Sequence, residues 1–197
     1  MAPGRTKATK PNTWKDLIAC AQWLVDHQYA TAKNLVATGG SAGGITMGRA
    51  VTERPDLFGG MQIFEGALDI IRLETSPNGV GNVPEFGSVK TEEGFKGLYA
   101  MSTYHNIKDR TAFPPILFTA GVNDNLVPVW MTLKTVARMR EANGSANPML
   151  LRLDFDAGHG GQAAMSASLK QAADNRAFIF WLAGLPEFQP KLAVKGF

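Results

Sequence analysis

The sequence predicts an α/β protein, a mostly parallel sheet with flanking helices, and three observations carry that prediction. Short β-like runs alternate along the chain with stretches of helical periodicity, the order that parallel strands joined by crossover helices require. A glycine cluster, Gly39-Gly40-Ser41-Ala42-Gly43-Gly44, separates one such run from the helix that follows it. The chain has 197 residues, 45% of them hydrophobic and 19% charged. That is enough to bury one substantial core, and residues 1–197 read as a single domain.

Residues 1–11 are basic and polar and are expected to form a flexible N-terminus. Thr13 with Asp16 resembles a capping box, after which Trp14, Leu17, Ile18, Ala21, Leu24 and Val25 fall on one helix face. Cys20 lies inside this pattern and reads as buried filler. The first strand candidate is Asn34 to Thr38, and the helix after the glycine cluster ends near Arg54-Pro55. Further strands are expected at Met61 to Glu65, Ile116 to Ala120 and Met149 to Phe155, with helices near 129–142 and 163–182. The stretch from Ser76 to Gly97 is the least regular and is expected to form loops over one face.

Composition excludes several classes of function. A net charge of +3 with scattered Lys and Arg lacks the basic stripe of a nucleic-acid footprint. The N-terminus has no apolar signal-peptide core, and no apolar run approaches the ~18 residues of a membrane span. As written, the sequence implies a cytoplasmic location and no membrane or nucleic-acid partner. The single Cys20 rules out an intrachain disulfide. The three histidines are far apart and lack a paired spacing such as H-x-x-x-H, so neither a metal site nor a cofactor is implied.

Gly39-x-Ser41-x-Gly43 matches a nucleophile elbow, a tight strand-to-helix turn that exposes a serine hydroxyl above the sheet. Gly39 and Gly43 are expected to let strand and helix approach closely, and the Ala42 amide at the helix N-terminus is placed to bind a developing oxyanion. A glycine-rich phosphate-binding turn is the competing reading, although no lysine follows the glycines as a Walker loop needs.

A serine hydroxyl needs an imidazole to take its proton and a carboxylate to orient that imidazole. Of His27, His105 and His159, only His159 sits in a glycine-flanked loop after a β-like run; the other two fit surface or capping roles. Asp124 follows the run Ile116 to Ala120, at the strand end where open α/β sheets place their sites. Asp156 is the main rival and Asp154 another, but both lie close to His159 in sequence. The order Ser41, Asp124, His159 is that of α/β-hydrolases.

These residues resemble the catalytic domain of the prolyl oligopeptidase family of serine hydrolases, peptidase family S9. The likeness extends to Arg54-Pro55-Asp56-Leu57-Phe58, Pro84-Glu85-Phe86-Gly87, Tyr99 to Asn106, Asn123-Asp124 with Val127, and Asp156-Ala157-Gly158-His159-Gly160. It runs from about residue 10 to about residue 183. It implies an α/β-hydrolase fold with Ser41 as nucleophile, Asp124 as orienting acid, His159 as general base and Ala42 as an oxyanion donor. It also implies that Phe86 and Val127 line the pocket for the residue before the scissile bond, where core packing is the competing role.

Three departures from the family pattern stand out. The usual first strands, the tyrosine that gives a second oxyanion donor and the propeller domain have no counterpart in this sequence. Leu126 replaces an arginine that binds the substrate backbone, and Asn82 replaces a tryptophan that stacks on proline. Missing first strands would leave a sheet edge and an apolar face to cover, which predicts a homo-oligomer.

Three functional readings stay open. An esterase for small or short-chain esters comes first, because alkoxide leaving groups tolerate a site short of one oxyanion donor and one arginine. A serine peptidase acting on short peptides comes second, and a truncated domain without catalysis third.

Overall fold

Four parallel strands, β1 (Val36–Gly40), β2 (Gly60–Phe64), β3 (Ile116–Gly121) and β4 (Met149–Asp154), form one sheet in the order β1-β2-β3-β4. The computed structural model describes residue 4, residues 6–161 and residues 164–190. The central strands β2 and β3 are buried almost throughout, as strands covered on both faces are, and are apolar apart from buried Gln62 and Thr119. Helices α2 (Gly43–Glu53), α3 (Val83–Phe86), α4 (Glu92–Met101) and α5 (Trp130–Ala142) lie in the crossovers. Helices α1 (Asn12–Asp26) and α6 (Met165–Leu182) flank the four strands in sequence.

Ile45, Ala50 and Val51 of α2 are fully buried among Met61, Ile63, Ile116 and Phe118 of the sheet. Helix α1 packs on α2, where Trp14 Nε1 donates to Glu53 Oε2 at 2.8 Å. Because all strands run the same way, Gly40, Phe64, Gly121 and Asp154 end at one edge of the sheet, in pairing register Gly40 with Phe64 and Gly121 with Asp154. Ser41, Glu65, Asp124 and His159 follow those four ends. Topology alone gathers them.

The structure corrects several local expectations. Pro11, with φ −50°, starts α1 early, so Thr13 lies inside the helix and its hydroxyl donates to the Lys10 carbonyl instead of forming a capping box. Cys20 is exposed, because at about 100° per residue it falls off the stripe of Trp14, Leu17, Ile18, Ala21 and Val25. The expected flexible N-terminus is structured from residue 6 where it is described: Lys7–Thr9 form a 3₁₀ turn, and buried Lys10 pairs with Glu85 and lies 5.0 Å from the centre of the Phe86 ring. Residues 1–3 and 5 lie outside the described residues.

Strand β1 begins two residues later than expected, since the amides of Asn34 and Leu35 close a turn onto the Thr31 carbonyl. The stretch 76–97 is not only loop. It holds a 3₁₀ turn (Gly79–Asn82), α3 and the start of α4, whose N-cap Thr91 accepts from the Gly94 amide at 3.1 Å with Glu92 and Glu93 in the first turn. Among the described residues no helix is long and apolar enough to cross a membrane.

Gly44 and Gly66 are where α2 touches the turn after β2. A Cβ on Gly44 would sit 2.4 Å from Gly66 Cα, backbone that cannot yield. A Cβ on Gly43 meets nothing within 4 Å. The close approach expected of Gly43 therefore belongs to its neighbour. Gly44→Ala should destabilise the fold by about 1–3 kcal/mol in urea titration, through overpacking. Gly43→Ala should be neutral or slightly stabilising in the same titration.

Candidate active site

Ser41 occupies the left-handed region at φ +53°, a conformation that costs a non-glycine residue about 1–2 kcal/mol. Backbone bonds hold it there. Its amide donates to the Phe64 carbonyl at 2.9 Å, and its own carbonyl accepts from Gly44 at 2.9 Å and Ala67 at 3.0 Å. Ala42 is the N-cap of α2, so its amide lies at the positive end of the helix dipole.

Asp124 lies in the turn after β3 with its side chain 1% exposed. Its Oδ1 accepts from the amides of Leu126 and Val127, both at 2.8 Å, which locks the carboxylate plane. Its Oδ2 faces His159 Nδ1 at 2.7 Å, and His159 Nε2 lies 3.0 Å from Ser41 Oγ. The structure brings Ser41, His159 and Asp124 into one relay and leaves the rivals out. Asp156 is exposed, and Asp154 accepts from the Asp156 amide at 3.1 Å and lies 3.9 Å from Arg152 Nη1.

A cavity of about 330 Å³ opens beside the nucleophile, lined by Ser41, Ala42, Asn82, Phe86, Leu126 and Val127 among others. Phe86 and Val127 are also buried in the core, so the two roles weighed for them coexist. A larger cavity of about 650 Å³ has Arg72, Asn123, Asn125 and Trp130 in its wall, and Asn78, which lines the first cavity, donates from Nδ2 to the Asn125 carbonyl at 2.8 Å.

The other two histidines stand apart from the relay. His27 caps α1, with Nδ1 2.9 Å from the Trp23 carbonyl. His105 has no capping role: its Nδ1 lies 2.8 Å from Ser102 Oγ and 3.7 Å from Asp69 Oδ1. Burial lowers its pKa from the ordinary 6.5, helped by Lys134 and opposed by Asp69. Ser102 and Asp69 both face the same nitrogen of His105, and Ser102 is fully buried, so this serine, histidine and aspartate form no relay open to a substrate.

Sequence reading missed Glu65. Its Oε2 accepts from the Gly160 amide at 2.7 Å and lies 3.5 Å from His159 Nδ1. Glu65, Asp124 and His159 each place one possible ligand atom within 4.8 Å of the others. Both carboxylates already serve the His159 loop through hydrogen bonds, so hydrogen bonding accounts for the cluster. The only signal for Glu65 in the sequence is its position at the end of the β-like run Met61 to Glu65.

The model of the prolyl oligopeptidase family matches residues 5–185. The chain belongs to the prolyl oligopeptidase family. Among curated members of that family, prolyl oligopeptidase dbiP of Dendrothele bispora is 32% identical over 92% of this chain and 25% of its own length. Protease 2 of Moraxella lacunata is 31% identical over 86% of this chain and 25% of its own length. A solved prolyl endopeptidase chain superposes with a TM-score of 0.87 at 32% identity, covering 91% of this chain and 26% of its own. Oligopeptidase B from Leishmania major gives 0.86 at 28% identity, covering 90% and 25%. The chain thus spans about a quarter of the length of the prolyl oligopeptidases it matches, on the α/β-hydrolase fold expected of it.

Proposed function

We propose that this chain is a serine peptidase that cleaves short peptides through an acyl-enzyme. The observation that carries the reading is the relay from Asp124 Oδ2 through His159 to Ser41 Oγ, with contacts of 2.7 and 3.0 Å. Ser41 Oγ attacks the scissile carbonyl carbon while His159 Nε2 takes the hydroxyl proton. Asp124 holds the other nitrogen and stabilises the imidazolium. The oxyanion that forms meets the Ala42 amide. The C–N bond then breaks, His159 returns the proton to the leaving amine, and water releases the acyl group by the same steps in reverse.

Phe86 and Val127 shape the cavity that receives the residue before the scissile bond. Leu126 and Asn82 leave that cavity without a cation or an indole plane, which suits a small apolar residue and gives no special hold on proline. The relatives bear the names of peptidases, so the preference for esters argued from the sequence gives way to peptides.

Two measurements test this together. A fluorophosphonate probe should label the chain, and peptide mapping should find the adduct on Ser41. A short peptide amide should be cleaved above the background of the Ser41→Ala variant. Turnover of a p-nitrophenyl ester without any amide cleavage would restore the esterase reading, and an absence of labelling would overturn both.

A further inference from the structure

We propose that Glu65 is a positioning residue for His159, clasping the glycine-rich loop that carries the imidazole through a side-chain oxygen that accepts from the loop backbone. This rests on the reading of His159 as general base. Glu65 is the first residue beyond β2 and stands at φ +45°, a left-handed conformation for a residue that is not glycine. Its amide is tied to the Thr119 carbonyl of the neighbouring strand at 2.8 Å. Strain of this kind persists where surroundings over-determine it, and it clusters at functional sites.

The side chain is 11% exposed and reaches across the sheet edge to Gly160, whose amide it accepts at 2.7 Å. A carboxylate acceptor makes such a bond roughly twice as strong as a neutral one. Among the described residues, no lysine or arginine lies within ion-pair distance of Glu65, and the His159 ring stands 3.5 Å away. Glu65 is therefore not spent on a surface ion pair.

The loop needs such a clasp. Gly158, Gly160 and Gly161 surround His159, and Gly160 and Gly161 have φ of +75° and +71°. A Cβ at Gly160 would meet nothing within 4 Å, so no packing fixes the backbone there. Glycine-rich backbone loses the most conformational freedom on ordering. On the upstream side, Asn123 holds the loop with two bonds, its amide to the Ala157 carbonyl at 3.1 Å and its Nδ2 to the Phe155 carbonyl at 2.8 Å. On the downstream side the Gly160 bond to Glu65 does the same. His159 is thus pinned from both directions.

Variants of the 197-residue chain separate acceptor from charge. Glu65→Ala should lower kcat roughly 10- to 100-fold with KM nearly unchanged, the cost of a misplaced catalytic group. Glu65→Gln keeps an oxygen for the Gly160 amide and should restore most of that loss. Hydrogen exchange at Gly160 should quicken in the alanine variant and stay slow in the glutamine one. Should the alanine variant not fold, Glu65→Asp carries the same test, being charged but one methylene too short to reach. Wild-type kcat in the alanine or aspartate variant, equal damage in the glutamine variant, or activity loss with Gly160 protection unchanged would each overturn the proposal. If the wild-type chain does not react with a fluorophosphonate, the peptidase reading falls, while exchange at Gly160 still decides the clasp.

Discussion

Ser41→Ala should reduce kcat by about a millionfold, to the level that oxyanion binding and orientation sustain alone. The loss is expected in kcat and not in KM, because the alanine leaves the cavity of Phe86 and Val127 intact and removes only the atom that bonds to substrate. A second substitution at the same position separates chemistry from strain. Ser41 pays about 1–2 kcal/mol for its left-handed backbone at φ +53°. Ser41→Gly removes that strain but adds roughly 0.5–1 kcal/mol of chain entropy to the unfolded state. The glycine variant should therefore be as inactive as the alanine one yet more stable than wild type, by up to about 1.5 kcal/mol in urea titration. A glycine variant clearly less stable than wild type would mean that the turn is held by the serine side chain and not by the bonds to Phe64, Gly44 and Ala67.

Ser41 and His159 are 118 residues apart and Asp124 and His159 are 35 apart, yet all three were legible in the sequence. Each lies in the turn or loop just beyond a strand's C-terminal end, and in a parallel sheet that gives a residue an address independent of its distance along the chain. Glu65 had the same address, 95 residues from Gly160, but no motif marked it. A lone carboxylate after a strand looks like any surface acid until the His159 loop is seen above it. The Ser102, His105 and Asp69 cluster was invisible for a related reason. Its members meet through loop packing, as Ser102 Oγ also approaches the Leu68 carbonyl at 3.4 Å, and no periodicity encodes such a contact. Helix α4 went unseen because the glycines and prolines before it suggested loop, although Thr91-Glu92-Glu93 spells a helix start. Cys20 was misplaced by one step around a helix. Long-range addresses at strand ends were readable; side-chain directions and loop-on-loop contacts were not.

Asp124→Asn should lower kcat about ten-thousandfold while leaving the fold and KM close to wild type. The size follows from how the carboxylate is already committed. Its Oδ1 accepts from the amides of Leu126 and Val127, at 2.8 Å each. An asparagine must keep its oxygen there, since turning its amide group toward two N–H donors would oppose donor to donor. Its NH₂ is then forced to face His159 Nδ1, which can satisfy it only as an acceptor. The imidazole proton moves to Nε2, and the nitrogen 3.0 Å from Ser41 Oγ becomes a donor that can no longer take the serine proton. Asp156→Asn is the control, because that side chain is exposed and outside the relay, and its kcat should match wild type. Steady-state kinetics on a short peptide amide check both. If Asp156→Asn caused the larger loss, the orienting acid would be Asp156, and the 2.7 Å contact between Asp124 and His159 would be structural only.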